Sequence, residues 1–375
     1  MDKEKKILIA GITGMAGHAI CRRLIQSGYR NIVGTCHHRK PEFENDRAVK
    51  SIRFVKVDLR DQAAVGALLK KEKPAYVFLA AAKVGGILAN DTYKADFIYD
   101  NIMISANVIR ASFESGVEKL LNLGSSCIYP KFAPQPMAEA SLLTGTLEPT
   151  NEPYAIAKIA AIKLCRYFNE QYGANYISVM PTNLYGPHDN FNLETSHVLP
   201  ALIRKFYLAN LLWRIRDTGS GKESLLRDIR NFPLGFNTHF ESGDERIETI
   251  TDALSQIGIS AHAVSLWGSG NVYREFLYVD DLADACIFLM QRCDAEEIGE
   301  IVNIGTGKDI RIKELGQVIQ GIIGYPGEVR HDADKPEGTP KKLLDVSRIL
   351  ALGWQPVTAL ADGIRKTISW YTSLP

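Results

Sequence analysis

Cysteine is sparse in this chain: six residues, at 21, 36, 127, 165, 286 and 293, are spread over 375 positions with no CxxC pair. That excludes a small disulfide-held module and offers no spacing for structural zinc, so no metal is expected and a reducing compartment fits best. Charge of one sign is missing too. The 44 Lys and Arg against 43 Asp and Glu leave a formal +1, which supplies no global field toward nucleic acid or anionic lipid. No run of about 18 apolar residues occurs, and the apolar stretch in MDKEKKILIAG is too short for a secretion signal. The expectation is a soluble cytoplasmic protein that binds neither nucleic acid nor membrane. What is present is ordinary globular material, 46% hydrophobic and 23% charged, long enough for two lobes. A local basic pocket for a phosphate-bearing small molecule is compatible with it.

From Lys6 the chain reads KILIAG, then GITGMAG, then HAICRRLIQSG at helical spacing, a strand-turn-helix unit ending at Gly28. NIVGTC, IRFVKVDL, YVFLAAA, VEKLLNLGSS and ANYISVMPTNLYG follow as strand candidates. Helices are expected over AAVGALLKKE, from about Phe97 to Ser115, and over YAIAKIAAIKLCRYFNEQYG. This alternation predicts an α/β fold, an extended Rossmann-type parallel sheet, with the ligand crevice beyond the C-terminal strand ends. Residues 1–190 form mainly this dinucleotide domain. Residues 191–375 read as mainly a smaller, discontinuous substrate-binding lobe, some of whose segments return to the first domain. The polar stretch 214–266 stands apart, either a loop followed by a helix over ERIETITDALSQIG or an elaboration for oligomer contacts.

Gly11, Gly14 and Gly17 give GxxGxxG between a strand and an amphipathic helix. The first suits a tight turn, the second lets a diphosphate approach the backbone, and the third permits close helix packing. No acidic residue ends the second strand, where His37, His38, Arg39 and Lys40 stand instead. They suit a 2′-phosphate and so NADP, or are a solvated basic loop. Asp58 either accepts a bond from the adenine amino group or caps a helix.

Tyr154-x-x-x-Lys158 places two side chains on one helix face. The lysine ammonium is expected to lower the tyrosine pKa and to position the nicotinamide ribose, so that tyrosine protonates a carbonyl oxygen as hydride arrives at carbon. Ser125, at a strand end, is a partner for the same substrate oxygen or a turn former.

Linked segments extend the pattern: AAAKVGGI (80–87), GSSCIYP (124–130), GTLEPTNEPYAIAKIA (145–160), MPTNLYGPHDNF (180–191), SHVLPALIRKF (196–206), WGSG (267–270), REFLYVDD (274–281) and KPEGTPKKLLD (335–345). Through them nearly the whole chain except 214–266 resembles the GDP-L-fucose synthase family of extended short-chain dehydrogenase/reductases. The resemblance implies a homodimeric NADPH enzyme that epimerises C3 and C5 of GDP-4-keto-6-deoxy-D-mannose and reduces its C4 ketone. It implies Ser125, Tyr154 and Lys158 as the reductase group, and Cys127 and His197 as the epimerisation acid/base pair. Without it Cys127 reads as a buried apolar side chain and His197 as a helix cap.

The same matching implies cofactor contacts at Gly11, Thr13, Gly14, Met15, Gly17, His38, Arg39, Asp58, Leu59, Ala81, Lys158, Pro181, Asn183, Leu184 and His197. Substrate contacts are implied at Ser125, Lys205, Trp267, Arg274 and Lys342; the alternative for the last four is solvated charge and one core tryptophan. Two departures stand out. Thr13 replaces an arginine that the family places near the 2′-phosphate, and 214–266 adds length between substrate motifs. The rival functions are a reductase or epimerase/reductase of another GDP-4-keto sugar, such as a heptose derivative, and a noncatalytic nucleotide sensor.

Overall fold

The computed structural model describes residues 1–37, 52–236, 246–335 and 338–375. The first half alternates β1 (Ile7–Ala10), α1 (Met15–Gln26), β2 (Ile32–Cys36), β3 (Arg53–Lys56), α2 (Gln62–Glu72), β4 (Tyr76–Leu79), α3 (Ile87–Thr92), α4 (Lys94–Glu114), β5 (Lys119–Leu123), α5 (Glu152–Tyr172) and β6 (Tyr176–Pro181). The second half adds β7 (Asn183–Tyr185), α6 (Val198–Thr218), α7 (Lys222–Asn231), α8 (Ile247–Gln256), β8 (Ala263–Trp267), β9 (Tyr273–Tyr278), α9 (Val279–Arg292), α10 (Ala295–Ile298) and β10 (Val302–Ile304). It closes with β11 (Asp309–Arg311), α11 (Ile312–Ile323), β12 (Glu328–Asp332), β13 (Lys341–Lys342), α12 (Ser347–Ala351) and α13 (Leu360–Ser373).

Seven strands in the order β10-β6-β5-β4-β1-β2-β3 form one parallel sheet. β1, β4, β5 and β6 are buried end to end, as strands covered on both faces must be, while β3 is an exposed edge. Because every pairing is parallel, the loops after β1, β3, β4 and β5 all emerge along one edge, where ligands bind in open α/β sheets. The Rossmann-type expectation is thus met.

The smaller lobe centres on β9, which pairs antiparallel with β11 and parallel with β7 and β13; β8 and β12 form a separate parallel pair. It has its own apolar core, with Phe191, Leu202, Phe206, Leu266 and Leu315 buried together. The lobes interleave along the chain. β7 lies before residue 190 yet belongs to the small sheet, whereas β10 extends the large one and α9 packs its Leu282, Ile287 and Leu289 into the core beneath α1.

In the 214–266 stretch, α6 continues to Thr218, and the helix expected over ERIETITDALSQIG is α8. α7 had no clear signal, because its Leu225 and Leu226 are the only buried apolar residues in a polar decapeptide. It is fastened by charge. Arg204, fully buried, reaches Asp228 at 3.0 Å and donates to the carbonyls of Phe191, Phe232 and Pro233, while the Tyr371 hydroxyl donates to Asp228. The segment is thereby tied to α13 and to the loop that leads to His197.

Candidate active site

At the end of β1, Gly11 adopts a φ of +88°, and a Cβ there would lie 2.7 Å from Ala81 Cα. A Cβ on Gly17 would lie 2.1 Å from the Gly11 carbonyl oxygen. The turn between them is therefore closed to larger residues. Gly14 differs: it is exposed, and a Cβ would meet only the Gly11 oxygen, at 3.6 Å. It opens α1 without a side-chain cap, so no side chain occupies the amides of the first turn, an arrangement suited to a diphosphate. Thr13 and Met15 are half-buried beside it. The residues present thus fit a dinucleotide on a structural criterion.

At the adenine end His38, Arg39 and Lys40 lie outside the described residues, so the proposed 2′-phosphate contacts have no geometry here. Asp58 does not cap α2. Asp61 does, accepting from the Ala64 amide at 3.0 Å, while Asp58 takes Arg60 at 2.7 Å and faces His37 at 3.4 Å. Its hydrogen bonds to Arg60 hold the carboxyl well below the usual range. Leu59 is buried, and its carbonyl accepts from Asn107 at 3.1 Å. At the other end of the crevice Pro181 closes β6, and Asn183 donates to the Glu275 carbonyl at 2.8 Å, with Leu184 half-buried next to it.

The reaction centre forms where β5 ends. A single 3-10 turn over Ser126–Ile128 follows Ser125, whose hydroxyl accepts from the Cys127 amide at 3.2 Å. α5 packs against this turn and presents Tyr154 and Lys158. The Lys158 ammonium lies 5.8 Å from the Tyr154 ring centroid and donates to the Leu123 carbonyl at 2.8 Å. Burial lowers its pKa to about 8. The expected lowering of the tyrosine pKa is corrected by the structure: burial raises it, charge on Cys127 adds to the rise, and only the bond to Ser125 opposes. In this state Tyr154 is a neutral phenol, the form that donates a proton.

Cys127 is half-buried, with Lys342 Nζ 3.3 Å from its Sγ. Burial raises the thiol pKa, but the Lys342 charge and the bonds to Ser125 and Lys342 outweigh it, so the net direction is down. His197 sits at the N-cap of α6, where its carbonyl accepts from Ala201 at 3.1 Å but its ring makes no capping bond. Solvent reaches the ring although protein crowds it. Burial, with Lys342 second, lowers its pKa.

The remaining substrate candidates lie in the small lobe. Lys205 is only 8% exposed, donates to the Ser265 carbonyl at 2.9 Å, and has its pKa lowered to about 8 by burial; it is not a solvated surface charge. Trp267 is 43% exposed at the end of β8 and is not a core residue. Phe236 packs near it, at 5.8 Å between ring centroids. Arg274 donates to the carbonyls of Tyr273 and Thr339 at 2.7 and 2.6 Å. Lys342, paired in register with Arg274 across β9 and β13, turns to Cys127 instead.

A sequence profile of the NAD dependent epimerase/dehydratase family matches residues 7–226 and 238–305. GDP-L-fucose synthase 1 of Arabidopsis thaliana is 45% identical over 370 residues, covering 99% of this chain and 94% of that protein. The chain belongs to the GDP-L-fucose synthase family. Two solved structures are also similar across the whole chain. A GDP-6-OMe-4-keto-L-xylo-heptose reductase from C. jejuni has a TM-score of 0.86 at 37% identity, covering 100% of this chain and 99% of that one. MlghC, a GDP-mannoheptose C4 reductase from Campylobacter jejuni with NADP bound, has a TM-score of 0.80 at 37% identity, with 100% coverage of both.

In this family member one residue that organises the site escaped the sequence reading. Glu275, fully buried next to Arg274, accepts from the amides of Thr306, Gly307 and Leu344 at 2.6, 2.8 and 3.0 Å. It fastens the segment after β13 to β9, and with it the strand that carries Lys342. The available signal was a carboxylate in the apolar run REFLYV, since a buried charge needs donors around it. Glu148 was also overlooked. It accepts from the Thr150 amide at 2.9 Å and lines the cleft of about 300 Å³ that contains Cys127, Lys341 and Lys342.

Proposed function

We propose that this chain epimerises GDP-4-keto-6-deoxy-D-mannose at C3 and C5 and reduces it at C4 with NADPH, giving GDP-L-fucose. The observation that carries the reading is the placement of Cys127 and Tyr154 on either side of Ser125, with a thiol biased toward its base form and a phenol kept in its acid form. The C4 ketone acidifies the protons on C3 and C5. Cys127 thiolate takes such a proton, the enolate oxygen at C4 is held by the Ser125 and Tyr154 hydroxyls, and His197 returns a proton to the opposite face. Epimerisation comes first, because reducing C4 removes the carbonyl on which that acidity depends.

NADPH, when bound, supplies the hydride for C4. Gly11, Thr13, Gly14, Met15 and Gly17 would hold its diphosphate, His38 and Arg39 the 2′-phosphate, and Asp58 and Leu59 the adenine. Ala81, Lys158, Pro181, Asn183, Leu184 and His197 would lie along the nicotinamide half. During reduction Tyr154 gives its proton to the C4 oxygen while the Lys158 ammonium stabilises the phenolate left behind. Lys205 and Arg274 would meet the GDP diphosphate, and Trp267 would cover an apolar face of the base or sugar.

The reading includes a cytoplasmic homodimer. Tyr99 on α4 and Ile156 and Tyr167 on α5 are exposed large apolar side chains that a partner would cover, and among the described residues no helix is long and apolar enough to cross a membrane. The heptose reductases similar over the full length favour a second reading, a GDP-4-keto-heptose as the native sugar. Product analysis with GDP-4-keto-6-deoxymannose and NADPH, NADH or no cofactor separates the two. GDP-L-fucose formed preferentially with NADPH is the expected result. No product from a protein that binds NADPH transfers the proposal to the heptose.

A further inference from the structure

The strand β13 is two residues long, yet it is held from three sides. Leu343 donates to Gln135 at 2.9 Å and accepts from the Met137 amide at 2.8 Å, while Leu344 donates to buried Glu275 at 3.0 Å. So short a strand gains little from its own ladder, and these contacts set the side chains it delivers. Its two lysines part company. Lys341 pairs with Asp309 at 3.2 Å, and Lys342 enters the cleft with its ammonium 3.3 Å from Cys127 Sγ.

We propose that Lys342 is a positioning residue for the epimerisation step: its ammonium, delivered by the β13 clamp, pairs with the Cys127 sulfur and keeps it a thiolate in the cleft that both residues line. This rests on the function proposed above, and it assigns Lys342 to the proton-transfer group rather than to the GDP diphosphate. The groups facing Cys127 support it. Ser125 donates to the sulfur from the β5 end, Tyr154 on α5 is neutral, and Glu148 opposes the thiolate but is itself drawn to Lys131 at 3.6 Å. Among the described residues Lys342 supplies the largest of the effects that favour the charged sulfur. An ammonium beside a thiol favours the charged sulfur, as cationic neighbours do for reactive cysteines generally. Burial first and this ammonium second disfavour a charge on His197, so Lys342 acts on both residues. One lysine thus biases both partners of the exchange.

The test reads Cys127 directly. The full chain is alkylated with iodoacetamide across pH 6–10, and the rate at the Cys127 peptide is followed by mass spectrometry, which separates it from the five other cysteines. The wild-type midpoint is expected below the ordinary thiol value of about 8.5. Lys342→Met is expected to raise it by about one pH unit or more, and Lys342→Arg to restore most of the shift. With GDP-4-keto-6-deoxymannose in deuterated water and no NADPH, Lys342→Met should lose about tenfold or more of its C3/C5 exchange at pH 7 and regain it above pH 9, with GDP affinity little changed. An ordinary wild-type midpoint, which needs no variant to fold, overturns the proposal. So does a Lys342→Met protein with an unshifted midpoint and weakened GDP binding. A shifted midpoint with no exchange in any protein leaves the lysine-thiolate pair standing and overturns the substrate instead.

Discussion

Tyr154 and Lys158 share a face because four positions on α5 make just over one turn, and that relation was readable from spacing alone. Its electrical consequence was not. Lys158 gives one of its three N–H donors to the Leu123 carbonyl, and burial dominates the tyrosine, so the phenol begins as an acid. Tyr154→Phe is expected to keep NADPH binding while C4 reduction falls about 100-fold or more and C3/C5 exchange, whose enolate keeps the Ser125 hydroxyl, falls much less, measured by NADPH oxidation against deuterium uptake. Lys158 is charged below its pKa of about 8 and neutral above it. The rate of reduction measured as kcat/KM is therefore expected to decline as pH rises through about 8, and Lys158→Met should remove that limb. Cys127, His197 and Lys342 were beyond the reach of spacing. The thiol and its lysine are 215 positions apart, and only the β13 clamp brings them together.

At the scale of elements, periodicity served where burial was one-sided or complete. The buried strands ILIA and YVFL and the long helices α4 and α5 were recognisable from their apolar runs and spacing. The polar helix α7 was not, because its hold comes from Arg204, Asp228 and Tyr371, which meet only in three dimensions. Asp228→Ala leaves the Arg204 guanidinium buried without its carboxylate and is expected to cost about 3–5 kcal/mol in chemical denaturation. The resemblance to known segments broke off at the same stretch. Phe236, near its middle, lies 5.8 Å from Trp267 between ring centroids, so the stretch reaches a substrate candidate. The phosphate turn makes a sharper case. Gly17→Ala places a methyl 2.1 Å from a carbonyl oxygen, so α1 must move away from β1. NADPH affinity is expected to fall about tenfold or more in a fluorescence titration, whereas Gly14→Ala, with room for its methyl, should bind NADPH more tightly than Gly17→Ala.

Across the whole molecule, the glycine turn proposed for the dinucleotide lies at one edge of the parallel sheet, and β13 of the small sheet brings Lys342 to Cys127 beyond the end of β5. The alternation of strands and helices announced the large sheet, but the interleaving of the lobes did not show in the sequence, because β7 and β10 are three residues each and their sheet membership is set by distant partners. Through β13 the small lobe brings Lys342 to Cys127, which shares Ser125 with Tyr154. In the proposed reaction a single cleft inverts two carbons before reducing a third. One reaction tests it most directly: GDP-4-keto-6-deoxymannose and NADPH are turned over in deuterated water, and the product is read by NMR. The expected product is the L-galacto-configured GDP-L-fucose with deuterium at both C3 and C5. A reduced sugar with its original configuration and protium at both carbons would contradict the claim and leave the protein a C4 reductase alone.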